Sequence, residues 1–498
     1  MTPLRARVVA AAATLALAMS AASAAPASVN RDAVDAFVTA QMDRHRVPGL
    51  ALAVFDNGNV TRLAGFGDAG GGRPVTPDTP FVVGSISKAF TAVAVLQLVE
   101  DGLVDLDAPV RTYLPAFAVA DADASASINV RHLLSHTSGL SELGYRRVLD
   151  RSTTLDDAVA DLRTAQPTAP AGARFQYFNP NYTVLALLVE TVSSQPYGRY
   201  VTKHIFQPLG MTRSVADPDQ ARRAGLAQGH SKIFGFPVAR DVPLAEYALG
   251  YGHLVSTARD LSRFALAIAG NGTLGDTTIL SPASVARMRT PPADVPTGGY
   301  GLGWQSWEAH GTTGEGHGGA EEAFTASLTL LPDQDRGYVW LINQQHLLDP
   351  VAAQLDAGLT DLLVGRQPDT GGMSMRTLGL AILAVFVVAL AFTVRSFLRL
   401  RGWRHRARHL STIAIVRSIA PHVVIPGAAG VGHLHPARPA GLRPASRVEL
   451  PPRRRLLPAR HRPVAGPRGR ARPDPGRVHD RRRGHRPSQP PAARRARW

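Results

Sequence analysis

The chain has 498 residues, 45% of them apolar, which is enough for a substantial core and too many for a chain disordered throughout. Its formal charge of +17 is concentrated at one end: residues 395–498 hold 26 Arg against three acids (Glu449, Asp474, Asp480), and +17 less +23 leaves −6 for residues 1–394. A mildly acidic folded part argues against nucleic acid as a partner, and the absence of cysteine excludes disulfides, a thiolate nucleophile and cysteine-ligated metal.

Residues 1–24 read as a signal peptide. Arg5 and Arg7 precede an apolar run from Val8 to Met19, and Ala22-Ser23-Ala24 follows as a small-x-small cleavage site. That run is shorter than the ~20 residues a spanning helix needs. Asn30 to Arg46 has the spacing of an amphipathic helix, and LALAVFD, the turn Asn57-Gly58-Asn59 and VTRLAGFG alternate as a β-hairpin. The pattern then turns mostly helical from about Ser87 to Phe264, broken by loops such as His136-Thr137-Ser138-Gly139. Strand character returns late in AFTASLTLL and YVWLIN, joined by PDQDRG and followed by a helical stretch from Asp349 to Leu363. The simplest architecture is a mixed α/β (α+β) domain over residues 30–365: a central antiparallel sheet built from both chain ends, flanked by helices, with a mainly helical insertion.

A linker over residues 366–376 leads to Thr377–Val394, eighteen residues without a charge, followed by Arg395, Arg399, Arg401 and Arg404. This predicts one C-terminal transmembrane helix in contact with membrane lipid. Its arginine flank lies in the cytoplasm and the folded domain outside, a single-pass arrangement in the cell membrane. Residues 395–498, rich in Arg and Pro, are expected to form a disordered cytoplasmic tail.

Three constellations carry chemistry. Ser85-Ile86-Ser87-Lys88 opens a helical run, so Ser85 and Lys88 share a face and the lysine nitrogen can reach the hydroxyl. With only three lysines in the chain (Lys88, Lys203, Lys232), a chance match to this spacing is rare. Tyr177-Phe178-Asn179 lies about ninety residues on. A tyrosine beside a cationic lysine has its phenolate favoured and serves as general base, and an asparagine amide both donates to and accepts from a substrate amide. Gly316-His317-Gly318-Gly319-Ala320 precedes a strand, and its glycines let a ligand backbone approach while a backbone N–H contributes to an oxyanion hole. His132 and His136 have i, i+4 spacing, but no acidic residue follows the first, and no metal or other cofactor is expected.

In this order the three motifs resemble those of the serine β-lactamase-like and penicillin-binding-protein superfamily, in the branch with class C β-lactamases, DD-peptidases and esterases. VRHLLSHTSGL, PLGM, GHLVSTARDLSRF and YGLGW are similar to its framework segments. The resemblance implies an acyl-enzyme on Ser85, proton handling by Lys88 and Tyr177, and substrate contacts from Asn179, His317, Gly319 and Ala320. The N–H groups of Ser85 and Ala320 would form the oxyanion hole, with His317 at the site of the third-motif cation. Phe178 replaces a small residue usual in the second motif and is expected to narrow the cleft. Gly318 replaces a Thr or Ser that holds a substrate carboxylate. The expected function is a membrane-anchored serine hydrolase cleaving an amide or ester: a cell-wall D-peptide of peptidoglycan, a β-lactam or an ester. The alternative is a non-catalytic ligand-binding or sensing module of the same fold.

Overall fold

The structure, a computed structural model, describes residues 29–145, 153–371 and 375–400, together with 411, 413 and 414. The expected signal peptide and nearly all of the basic tail lie outside the described residues.

Helix α1 (Arg31–His45) starts where Asn30 Oδ1 accepts from the N–H groups of Asp32 and Ala33, both at 3.1 Å, and stops at Arg46 in the left-handed conformation. Strands β1 (Gly49–Asp56) and β2 (Asn59–Gly67) form the first hairpin. After the insertion come β3 (Gln305–Ala309), β4 (Thr312–Glu321), β5 (Phe324–Leu331) and β6 (Arg336–Ile342). The six strands form one antiparallel sheet in the order β2-β1-β6-β5-β4-β3, with Leu50 opposite Ile342 where the two chain ends meet. Every residue of β1 is buried because both faces of the sheet are covered. On one face Leu50, Leu52, Val54, Tyr338 and Trp340 pack with Phe37 and Val38 of α1 and with Leu355 and Leu359 of the late helix Val351–Leu363. On the other, Ala51, Ala53, Phe55, Val339 and Leu341 join the core of the insertion.

The insertion contributes α2 (Ser87–Glu100), α3 (Pro180–Ser193) and α4 (Ala258–Ala269); α4 packs on the sheet, while α2 and α3 pack against each other. Helix α2 is apolar on all sides and buries eleven of its fourteen residues, so its N-terminus is held as firmly as a core strand. The glycine-rich third motif, read from sequence as lying before a strand, is itself strand β4, second from the sheet edge. Helix α5 (Met375–Leu400) contains the 22-residue stretch Thr377–Leu398, of mean hydropathy 2.6 and only 6% buried, which by length and composition is able to cross a membrane.

Candidate active site

Ser85 sits on a single tight turn, Gly84–Ile86, between the short strand Phe81–Val82 and α2. Gly84 has φ of 55°, and a Cβ there would lie 2.6 Å from the backbone nitrogen of Ala320. A Cβ at Gly319 would lie 2.0 Å from Val83 O and 3.3 Å from Ser85 N. Two glycines therefore let the serine turn and β4 touch backbone to backbone, which brings the N–H groups of Ser85 and Ala320 into one neighbourhood.

Lys88, the second residue of α2, is fully buried. Its Nζ lies 2.9 Å from Ser85 Oγ, 2.8 Å from Asn179 Oδ1 and 2.9 Å from Tyr251 O. All three partners are uncharged, and burial holds the amine well below the usual lysine range, with the negative charges of Glu321 and Glu142 opposing the shift only in part. A neutral amine has two N–H bonds and one lone pair. In that form the two carbonyl oxygens can take the hydrogens, which would leave the lone pair facing the Ser85 hydroxyl.

Tyr177 donates its hydroxyl to Ser85 Oγ at 2.8 Å and keeps 38% of its surface open to the cleft. Burial of its inner side raises the phenol above its usual value, opposed by the hydrogen bond to Ser85 and reinforced by the charge of Glu321. Burial therefore works against both the lysine cation and the phenolate, the two charged forms that a phenolate–lysine pairing would use. Asn179 stands just before α3, whose first residue is Pro180, and its oxygen is committed to Lys88, which fixes the direction of the amide.

His317 on β4 is buried, and Nδ1 donates to Gly318 O at 2.6 Å while Nε2 accepts from the Tyr300 hydroxyl at 3.0 Å. Burial, with Lys88 nearby, depresses the imidazole to about 4, so at neutral pH it supplies no cation. A Cβ at Gly318 would meet nothing within 4 Å, so the missing side chain leaves open space. Phe178 does not narrow the cleft: it is fully buried, its ring 5.9 Å from that of Tyr145. Tyr177 and Asn179 turn to Ser85 and Lys88, and the side chain between them turns into the core.

Three supporting residues were not singled out from the sequence as site residues. Tyr251 offers its carbonyl to Lys88, Tyr300 holds His317, and His136 lies with its ring centroid 4.3 Å from that of Tyr177 while Nδ1 accepts from Phe178 N at 3.2 Å. The sequence signal for each was weak, since a residue type in a framework segment does not announce which group it faces. His132 serves as part of a capping box with Asn129 at a short helix start, and His136 buttresses the tyrosine, so the two do not converge.

A profile of the Beta-lactamase family matches residues 34–360. Among curated proteins the chain is 35% identical over 304 residues to Penicillin-binding protein 4 of Amycolatopsis lactamdurans, covering 58% of this chain and 78% of that one. It is 29% identical over 348 residues to the Unguisins hydrolase ungD' of Aspergillus campestris, covering 66% of this chain and 64% of the relative. Among solved structures, an octameric penicillin-binding protein homologue from Pyrococcus abyssi superposes with a TM-score of 0.58 at 27% identity, over 68% of this chain and 78% of that one. A class C beta lactamase from Rhodobacter sphaeroides, at 22% identity and a TM-score of 0.54, shares the fold over 67% of this chain and 98% of its own. The profile spans the whole sheet and the insertion that carries Ser85, Lys88 and Tyr177, and on that extent the chain belongs to the beta-lactamase family, the serine-hydrolase group to which the penicillin-binding proteins also belong.

Proposed function

We propose that the chain is a membrane-anchored serine hydrolase acting outside the cytoplasm, acylated on Ser85 by an amide or ester whose recognition does not depend on a free carboxylate. One observation carries the catalytic half: Ser85 Oγ lies within 2.9 Å of Lys88 Nζ and 2.8 Å of the Tyr177 hydroxyl. The neutral Lys88 takes the Ser85 proton as Oγ attacks the substrate carbonyl carbon. The resulting oxyanion rests on the N–H groups of Ser85 and Ala320, on the tight turn and on β4. Tyr177 gives its proton to the leaving nitrogen or oxygen as that bond breaks and is reprotonated from Lys88. Water then attacks the acyl carbon by the same steps in reverse. Asn179, its oxygen held by Lys88, turns its NH2 group to the substrate carbonyl, while Gly319 and Ala320 border the acyl group along β4.

Substrate preference rests on the third motif. A neutral His317 and an empty position at Gly318 offer neither charge nor hydroxyl to a carboxylate, which favours an ester or an amide without one over a penicillin. Intact-mass spectrometry of the full chain and of Ser85→Ala, after incubation with a fluorophosphonate, a penicillin and a p-nitrophenyl ester, tests the reading. A stoichiometric adduct or turnover confined to the wild type is expected, fastest with the ester. A folded wild type that reacts with none of the three would leave the ligand-binding alternative in place.

A further inference from the structure

Besides the site, the surface carries an apolar patch that the hydrolase chemistry does not use. A hairpin of two short strands, Gly229–Ile233 and Phe236–Arg240, projects from the insertion, and its Ile233, Phe234, Phe236 and Val238 are 57%, 40%, 42% and 43% exposed. The loop after β6 lies beside it, with Gln345 N donating to His230 O at 3.0 Å, and presents Leu347 and Leu348 at 90% and 61% exposure. Six large apolar side chains on one rim are more than scattered surface hydrophobics need.

The first turns of α5 meet this rim. A Cβ at Gly379 would lie 2.6 Å from the carbonyl carbon of Phe234, so the apolar stretch Thr377–Leu398 leaves the folded domain alongside the hairpin tip. The connection is held at the same place, because Arg44 at the end of α1 donates to Thr370 O and the Arg46 guanidinium lies 4.6 Å above the Phe236 ring. An aromatic ring with a cation stacked on it suits the headgroup boundary, where one end is apolar and the other wet. The hairpin is tied down one residue before its first strand ends: Lys232 is buried and meets Asp349 and the carbonyl of His45.

Resting on the membrane-anchored reading above, we propose that the hairpin tip and the Leu347–Leu348 loop dip into the outer leaflet beside the anchor, so that the domain lies on the bilayer instead of swinging from a tether. The hairpin also contacts the turn after β4, with His230 N donating to Ala323 O at 3.3 Å and Arg240 paired with Glu322 at 2.9 Å. Bilayer contact thereby fixes the end of the strand that carries Gly319 and Ala320, and the cleft is presented to substrates at the membrane surface.

The cysteine-free chain makes the test direct. Single variants Ile233→Cys, Leu347→Cys, Leu390→Cys in α5 and Asp276→Cys on the exposed Thr273–Thr278 turn are labelled with an environment-sensitive fluorophore, and the full chain is reconstituted in liposomes with or without nitroxide lipids. Labels at 233 and 347 are expected to shift to the blue and lose intensity with a shallow nitroxide, that at 390 with a deep one, and that at 276 with neither. Quenching at 390 without quenching at 233 and 347 overturns the proposal, whether those labels stay in water or are shielded by a second copy or a protein partner. Absence of quenching at 390 would instead remove the anchoring reading itself.

Discussion

Replacing Lys88 by methionine separates the chemistry of the amine from its contribution to stability. Lys88→Met keeps an unbranched chain in a fully buried position and removes the group whose lone pair faces Ser85. Loss of a general base costs about 10²–10⁴-fold in the step it assists, so the acylation burst with a p-nitrophenyl ester should fall by that factor. Stability should respond through pH. The unfolded chain keeps this lysine protonated up to a pH of about 10.4, whereas the folded chain, with its amine well below that range, has already released the proton. Unfolding takes up a proton across that window, so wild-type stability rises with pH by as much as about 1.4 kcal/mol per pH unit and levels off above the unfolded value. The methionine variant lacks this contribution. The difference in stability, variant minus wild type, should therefore be most positive at the acid end and shrink as the pH rises, whatever its offset from the lost hydrogen bonds to Asn179 and Tyr251, each about 1–3 kcal/mol for an acceptor left unpaired. Thermal unfolding from pH 6 to pH 10 reads the slope directly. A difference that does not change with pH, or an acylation burst within about threefold of wild type, would refute the reasoning that burial makes this lysine a base.

Tyr177→Phe deletes the 2.8 Å hydrogen bond to Ser85 and should slow acylation by about 10²-fold in stopped-flow assays. Its melting temperature should stay near that of wild type, since the ring and its contact with His136 remain. Gly318→Thr places a hydroxyl in open space and should raise acylation by a penicillin relative to a p-nitrophenyl ester, with stability within about 0.5 kcal/mol of wild type; an unchanged ratio would show that Gly318 does not set the preference. Gly84→Ala forces a Cβ into a left-handed turn 2.6 Å from Ala320 N and should abolish fluorophosphonate labelling, at a cost in strain alone of about 1–3 kcal/mol. Phe178→Ala empties a core position and should lower stability by about 3–5 kcal/mol in chemical denaturation, the opposite of what a residue lining the cleft would do.

The parts of the site that could be read in the sequence are those fixed by short-range geometry. Ser85 and Lys88 lie three residues apart at a helix start, and Tyr177 and Asn179 flank one residue of a loop that ends in a helix, so local spacing places each pair. The depressed lysine and the raised phenol arise from burial supplied by distant segments: Tyr251, whose carbonyl accepts from Lys88, is 163 residues from it. The inward turn of Phe178 and the bond between Tyr300 and His317 likewise depend on which elements meet in three dimensions. Strand β4 escaped notice because glycine is disfavoured in strands, and here it is the pairing with β3 and β5 that imposes the extended backbone. The hairpin Gly229–Arg240 carries no alternating pattern, since its strand Phe236–Arg240 is exposed along most of its length.

The pairing of β1 with β6 bears on when the proposed acylation site is complete. Asp56 and Arg336 face each other across that seam and are 280 residues apart in the chain, and β4, with the Ala320 N–H, reaches β1 only through β5 and β6. A ribosome-bound or proteolytically shortened chain lacking β6 would carry Ser85, Lys88 and Tyr177 without the sheet that supports the oxyanion pocket. Long-range closure of this kind is slow relative to local helix formation, so labelling by a fluorophosphonate should appear last in refolding, after the helical signal has recovered. On the proposed chemistry, reactivity of the serine would report completion of the fold, and an unfinished chain would lack the reactive centre.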